Sequence, residues 1–291
     1  MMGSVTHNID KHWSDDSCDL LRVGPGFALS AVDPESTPGY DGDKATSKAD
    51  LSAGADELDE LQERLYAQSR GGTSTDSVLL VLQAMDSAGK GGIIRHVVGS
   101  VDPQGITLTA FKKPTDEELE NDFLWRVEKR LPPPGFIGVF DRSQYEDVLI
   151  GRVRSLAPAA EIERRYGAIN AFEQRLTDAG MRIIKVMLHI SHEEQRERLM
   201  ERLERPDKHW KYNPGDVDER ARWPLYMEAY QTVFERTSTQ HAPWFVVPAN
   251  RKWYARMAVQ RLLLGALREI DPQWPAATFD IEVEKQRLAA S

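Results

Sequence analysis

Five short apolar runs, separated by stretches of helical spacing, constrain this chain more than any other feature. They are SVLLVLQA (Ser77 to Ala84), ITLTAF (106–111), GFIGVF (135–140), MRIIKVMLHI (181–190) and PWFVVPA (243–249). A run with no polar alternation suits a strand covered on both faces, and such strands belong to parallel sheets. Between them lie patterns with apolar residues three and four apart, over 115–130, 158–179, 192–204, 217–238 and 251–269. A further helix is expected from Ala53 to Arg70, with Leu58, Leu61 and Leu65 on one face and Gly71-Gly72 as its stop. Strand and helix in alternation predict an α/β fold: a central parallel five-stranded sheet flanked by helices, in three layers.

Composition sharpens this. The charged fraction is 29% and the hydrophobic fraction 41%, as in ordinary globular domains. The net charge of -9 is unevenly placed. Residues 1–76 carry fifteen acidic and six basic side chains, and the remainder is balanced at 31 of each. Duplex DNA and RNA are therefore not expected as partners, since phosphate neutralisation needs clustered bases. A smaller polyanion remains compatible with a local basic groove. The single cysteine, Cys18, and an N-terminus without an apolar core between basic residues point to the cytoplasm and away from the membrane. Residues 1–52 read as an irregular acidic arm that either wraps the surface or moves, 53–270 as the folded domain, and 271–291 as a tail.

The first apolar run leads into Ala84-Met-Asp-Ser-Ala-Gly-Lys-Gly-Gly92 and then the helical IIRHVV. A strand, a Gly-rich turn and a helix N-terminus make an anion site, because backbone N–H groups converge there and the helix dipole favours negative charge. Ala88, Gly89, Lys90, Gly91 and Gly92 are the expected phosphate-binding residues. The loop departs twice from G-x-x-x-x-G-K-[ST]: Ala84 replaces the first glycine, and Gly91 stands where a metal-binding hydroxyl is usual. Asp86 is placed to supply the metal-facing oxygen instead. The competing reading is a plain glycine turn with an exposed lysine.

A second motif, GVFDRSQYEDVLIGRV, follows the third run. Strand ends on the carboxyl side of a parallel sheet line its ligand crevice. Asp141 suits Mg²⁺, a hard cation that favours carboxylate oxygens, and Arg142 suits phosphate oxygens. Asp141 as the cap of a helix starting at Ser143 is the alternative. Glu146 and Asp147 either meet an acceptor or pair with nearby arginines such as Arg152. A third stretch, RLMERLERPDKHWKYNPGDVDERARW, gathers Arg202, Arg205, Lys208 and Lys211 around Pro206. It suits either a mobile basic lid or a solvated charged helix.

Together AMDSAGKGG, FDRSQYEDVL and RLERPDKHWKYNP resemble the polyphosphate kinase 2 family, over about residues 56–270. The resemblance implies a P-loop kinase-like fold with a helical lid, at about 193–235 here. It also implies Mg²⁺-dependent transfer of a terminal phosphoryl group between inorganic polyphosphate and a nucleotide, and a homo-oligomer. Carried over, Asp86, Lys90, Asp141, Arg142 and Arg202 are the catalytic set, with Asp86 and Asp141 on the metal. The common second motif, D-R-S-W-Y-N-R-A-G, is changed here at Gln144, Glu146, Asp147, Val148 and Leu149. That variant resembles the subgroup acting on both AMP and ADP, with Glu146 and Asp147 toward the acceptor; ATP is then product or reverse substrate, and adenine versus guanine stays open. A polymer without a base needs charge along a groove, for which Lys112, Lys113, Arg126, Arg152, Arg154, Arg205, Lys208 and Lys211 are candidates. His96, His189 and His192 are expected to be structural. Two rival functions remain: an ATP-dependent kinase of a small metabolite, and a non-catalytic binder of polyphosphate or nucleotide.

Overall fold

The computed structural model describes residues 9–291, so the first eight residues of the expected arm lie outside it. Its sheet holds β1 (Ser77–Ala84), β2 (Ile106–Ala110), β3 (Ile137–Asp141), β4 (Met181–His189) and β5 (Trp244–Pro248), all parallel, in the order β2-β3-β1-β4-β5. The central strand explains why the run was continuous. Val78, Leu80 and Leu82 enter one apolar core, while Leu79 and Val81 enter the other. Each such burial contributes about 1.5–3 kcal/mol. One core is roofed by α1 (Lys44–Arg70), α2 (Lys90–His96) and α10 (Lys252–Ile270). The other is roofed mainly by α6 (Ala159–Asp178) and α9 (Trp223–Thr237). The helix MAVQRLLLGAL, within α10, is core: Leu262, Leu263, Leu264 and Leu267 are buried.

Three expectations need correction. The first helix begins at Lys44, nine residues before Ala53, because Asp43 accepts from the Thr46 N–H (2.8 Å) and caps it. Its early turns lack the leucine spacing, since Gly54 lies against Gln260 where a Cβ would stand 2.3 Å from Oε1. The stretch 115–130 forms two single turns, α3 (Asp116–Leu119) and α4 (Trp125–Glu128), because the Asp122 side chain takes the Leu124 N–H (3.0 Å). The stretch 217–238 is likewise divided, into α8 (Gly215–Arg220) and α9, with Pro224 in the first turn of α9. The remaining helices are α5 (Ile150–Val153), α7 (His192–Glu204) and α11 (Ile281–Ala289).

Ahead of α1 the described part of the arm, residues 9–43, holds only short 3₁₀ turns and lies on the domain. Val23 N–H donates to the Trp244 carbonyl (2.8 Å) at the open edge of β5, and Leu21, Val23, Leu29 and Tyr40 are buried. Pairing that edge removes a row of unmet backbone groups. Among the described residues no helix is long and apolar enough to cross a membrane.

Candidate active site

The chain turns sharply after β1. Ser87 (φ +66°) and Gly89 (φ +118°) adopt left-handed backbone, and α2 starts at Lys90. Only glycine takes the Gly89 conformation without strain. A Cβ at Gly91 would meet nothing within 4 Å. While the Gly92 and Ile93 N–H groups donate to the Gly89 carbonyl (2.8 and 3.2 Å), those of Lys90 and Gly91 have no backbone acceptor among the described residues. The opposite side of the loop is tied down. Arg198, buried on α7, donates to the carbonyls of Ser87 (3.1 Å), Ala88 (2.8 Å), Ala249 (2.7 Å) and Asn250 (3.0 Å). Gln195 Nε2 donates to the Asp86 carbonyl (3.1 Å). With carbonyls drawn backward, the N–H groups are left for an anion. Neither residue was singled out from sequence, where Arg198 is one more arginine in a charged helix.

β3 ends beside this loop. Asp141 pairs in register with Leu82, and Lys90 Nζ lies 3.8 Å from Asp141 Oδ1. Arg142, also left-handed (φ +66°), donates to Asp86 Oδ1 (2.9 Å) and lies 3.9 Å from Glu146 Oε2. The next turn, Gln144–Asp147, is capped by the Ser143 hydroxyl, which accepts from Tyr145 N–H (3.2 Å). Asp141 is therefore not the cap. Burial pushes the Glu146 carboxyl above its ordinary pKa, against the pull of Arg142 and Lys90. Burial also disfavours the Arg142 cation, but Glu146, Asp86 and Asp141 outweigh it and raise its pKa.

Asp86, Arg142 and Glu146 form one wall of a cleft of about 220 Å³, and the Lys90–Asp141 pair is not part of its lining. Its other wall is α8 and α9, through Asp216, Glu219, Tyr226 and Tyr230. Asp216 is buried, and desolvation, followed by the Asp86 charge, lifts its pKa to about 6. Arg202 donates to Asp216 Oδ2 (3.4 Å) and to the Lys211 carbonyl (3.1 Å), so it is held at the edge of the cleft. A wider cavity, about 1270 Å³, lies between residues 23–32 and α9; it contains no residue of the loop, whereas the smaller cleft contains Ala84, Met85 and Asp86. The convergence of charge favours the smaller cleft as the reactive one.

Other expected residues lie elsewhere. Asp147 faces Arg126 (3.5 Å) and Arg165 (3.3 Å), away from the cleft. Adjacent residues of a 3₁₀ turn project about 120° apart, so Glu146 and Asp147 do not share a direction. Arg152 donates to Thr232 (2.9 Å) and Arg154 to Glu219 (2.8 Å). Arg205 is exposed and engaged with Glu201 and Asp207, Lys208 lies 3.3 Å from Asp207, and Lys211 sits over the exposed Trp210 ring. Lys112 and Lys113 are exposed beyond β2. His189 is buried, which pushes it down to about 4, and His192 stacks on Trp223. Beside α2 a basic group not expected from sequence appears: Arg95, His96 and the half-buried Arg256, whose Nη2 lies 3.9 Å from where a Gly92 Cβ would be. Burial lowers the pKa of His96, and the charges of Arg256 and Arg95 lower it further. Arg256 has no carboxylate or hydrogen-bond partner among the described residues.

The donor set suits a hard divalent cation. Asp86, Asp141 and Glu146 offer only carboxylate oxygens and outnumber Lys90 and Arg142. Among the described residues no group of three or more His, Cys, Asp or Glu forms an all-protein metal cage. Two carboxylates completed by substrate phosphates is the Mg²⁺ pattern.

The sequence profile described as Polyphosphate kinase 2 matches residues 41–275. The chain belongs to the polyphosphate kinase 2 family. It is 59% identical to a polyphosphate kinase 2 from Arthrobacter aurescens known as a crystal structure, with a TM-score of 0.94 over 96% of this chain and 98% of that one. The AMP/ADP-polyphosphate phosphotransferase of Meiothermus ruber is 43% identical over 87% of this chain and 94% of its own length. The ADP-polyphosphate phosphotransferase of Rhodopseudomonas palustris is 40% identical over 78% and 81%. A polyphosphate kinase 2 is a P-loop kinase-like phosphotransferase, and the five-stranded parallel sheet here has that architecture.

Proposed function

We propose that this polyphosphate kinase 2 transfers the terminal phosphoryl group of inorganic polyphosphate to AMP and ADP, reversibly, with Mg²⁺. The observation that carries the reading is the pairing of the two motifs across the strand ends, Asp86 with Arg142 (2.9 Å), which lines the cleft, and Lys90 with Asp141 (3.8 Å) next to it in the chain.

The acceptor phosphate enters the cleft between Arg142, Glu146 and α8, and the donor end lies on the α2 N-terminus. An acceptor phosphate oxygen forms the new P–O bond while the bridging P–O bond of the chain breaks, leaving a polymer one unit shorter. That oxygen is ionised at neutral pH, so no general base is needed. The transition state is loose and spreads charge over equatorial oxygens, so positioning and electrostatics supply the catalysis. Lys90, Arg142 and the loop N–H groups receive that charge. Asp86 and Asp141 would hold Mg²⁺, whose contribution is to neutralise donor and acceptor oxygens. Arg202 reaches the phosphates only by leaving Asp216, which makes α7 and α8 the lid. The donor chain runs past Arg95, His96 and Arg256, a track supported by the half-buried Arg256, which has no side-chain partner among the described residues. Guanine nucleotides are accepted to the extent that the cleft tolerates them. The protein acts in the cytoplasm as a homo-oligomer, its exposed tail residues Phe279, Ile281 and Leu288 offering contact surface.

The test is incubation with Mg²⁺, long-chain polyphosphate and either AMP or ADP, following ADP and ATP. Product from both acceptors is expected. Turnover only with ATP and a hydroxyl acceptor would move the protein to the metabolite kinases, and tight binding without turnover would make it a binder.

A further inference from the structure

Behind the second motif, on the side away from the cleft, lies a closed network of buried charge. Lys185 on β4 is 0% exposed and sends its three protons to Glu173 Oε2 (2.6 Å), the Tyr145 hydroxyl (2.9 Å) and the Thr237 carbonyl (2.7 Å). Glu173 on α6 is equally buried, and its other oxygen accepts from the Tyr145 hydroxyl (2.8 Å) and from Gln144 Nε2 (3.2 Å). The Tyr145 ring packs edge-on against Trp244 (4.7 Å).

Two features give this network more than a packing role. A buried ion pair is a poor way to gain stability, because desolvation offsets its attraction and apolar replacements often serve as well. Its residues also interleave with the site. Gln144 and Tyr145 point into the network, while Arg142 and Glu146, four residues apart on either side, point into the cleft. Thr237 ends the helix whose Tyr226 and Tyr230 line the facing wall.

We propose that Glu173 and Lys185 are positioning residues. Through Gln144 and Tyr145 they set where the Glu146 carboxylate and the Arg142 guanidinium stand, and so control how the acceptor nucleotide is held. The inference rests on the reading above in placing the acceptor at Glu146. It names no new contact with substrate.

The experiment uses the full chain with Glu173→Gln and Lys185→Met combined, which removes both charges and leaves neither unpaired. Tyr145→Phe, which keeps the ion pair and deletes one hydroxyl, carries the test if the double variant fails to fold. Circular dichroism and thermal melts establish folding; calorimetry gives the Mg²⁺-ADP affinity, and kinetics with polyphosphate give each KM. Expected are a folded double variant, a KM and dissociation constant for ADP raised about tenfold, and a polyphosphate KM within twofold of the parent. Tyr145→Phe should lie between. In a Glu146→Ala background the network substitutions should add less than twofold, since they act through that residue. Unchanged ADP constants in a folded variant, equal weakening for donor and acceptor, or full additivity with Glu146→Ala would each overturn the role. Should the parent protein prove inactive with polyphosphate, the functional reading falls, and the ADP affinities still decide this one.

Discussion

At the scale of single residues, the site is a balance between paired opposite charges and the anion they await. Lys90 is mostly buried and, among the described residues, has one carboxylate within 4 Å, Asp141 at 3.8 Å, too long for a tight hydrogen bond. It is thus poised for phosphate. Lys90→Ala is expected to lower turnover by about 10³-fold, the scale of removing one charge-stabilising donor, with an unchanged melting temperature. Near-normal turnover would remove Lys90 from the machinery. Arg256 tests the donor track separately. Arg256→Ala should raise the polyphosphate KM about tenfold, the worth of roughly one charged contact, and leave the ADP KM alone. Equal shifts in both constants would place Arg256 in scaffolding.

At the scale of elements, α7 joins α8 to the phosphate loop. The base of α7 is fixed by Arg198 and Gln195 to loop carbonyls, whereas its far end reaches α8 through Arg202 and Asp216. A cleft of about 220 Å³ is smaller than the roughly 300–1,000 Å³ typical of ligand sites, so a nucleotide requires α8 to move. Asp216 reports on that closure. Its folded pKa, lifted to about 6 by burial and then by Asp86, exceeds the unfolded value, so the folded state binds the extra proton. Stability is therefore greater at low pH and is lost as pH rises from about 4 through about 6. In nucleotide-free protein, Asp216→Asn should remove this slope. Its stability relative to the parent should improve by roughly 1–3 kcal/mol between pH 4.5 and pH 7.5. Chemical denaturation at both pH values measures this, and parallel pH profiles would show that Asp216 is not buried in solution.

At the scale of the whole molecule, the arm matters because it meets the sheet edge at β5 and packs on both apolar layers, Leu21 and Tyr40 on one and Val23 and Leu29 on the other. Its anchor is Tyr40, buried, whose hydroxyl donates to Asp50 (2.7 Å), the carboxylate that also meets His12 (2.8 Å). Tyr40→Phe should cost about 1.5–3 kcal/mol, the value of a hydrogen bond to a charged group. That lowers the melting temperature by several degrees for a protein of this size. Activity should stay within twofold, since the arm's anchor lies outside the cleft. A large kinetic effect at unchanged stability would tie the arm to the site.

How much of this was legible beforehand follows from range. Local apolar runs announce strands such as β1 because both faces of a parallel sheet are covered, and chain order then puts Asp86, Lys90, Asp141 and Arg142 at strand ends. Those features depend on neighbours a few residues away. Arg198, Gln195 and Asp216 could not be found so, because the groups they meet lie far along the chain and in a charged helix they look solvated, and Arg256 gains its place only where α10 packs beside Gly92. Arg205 and Lys208, read as phosphate ligands, pair instead with carboxylates one to four residues away, Glu201 and Asp207. Glu146 and Asp147 show the finest division. Sequence placed both beside the motif, and only the pitch of a 3₁₀ turn with Arg126 and Arg165 behind it sent one into the cleft and the other away. The sequence alone thus determined the layering and the strand-end chemistry, which are short-range. Tertiary packing decided which charges are desolvated together, because that depends on segments meeting across the sheet.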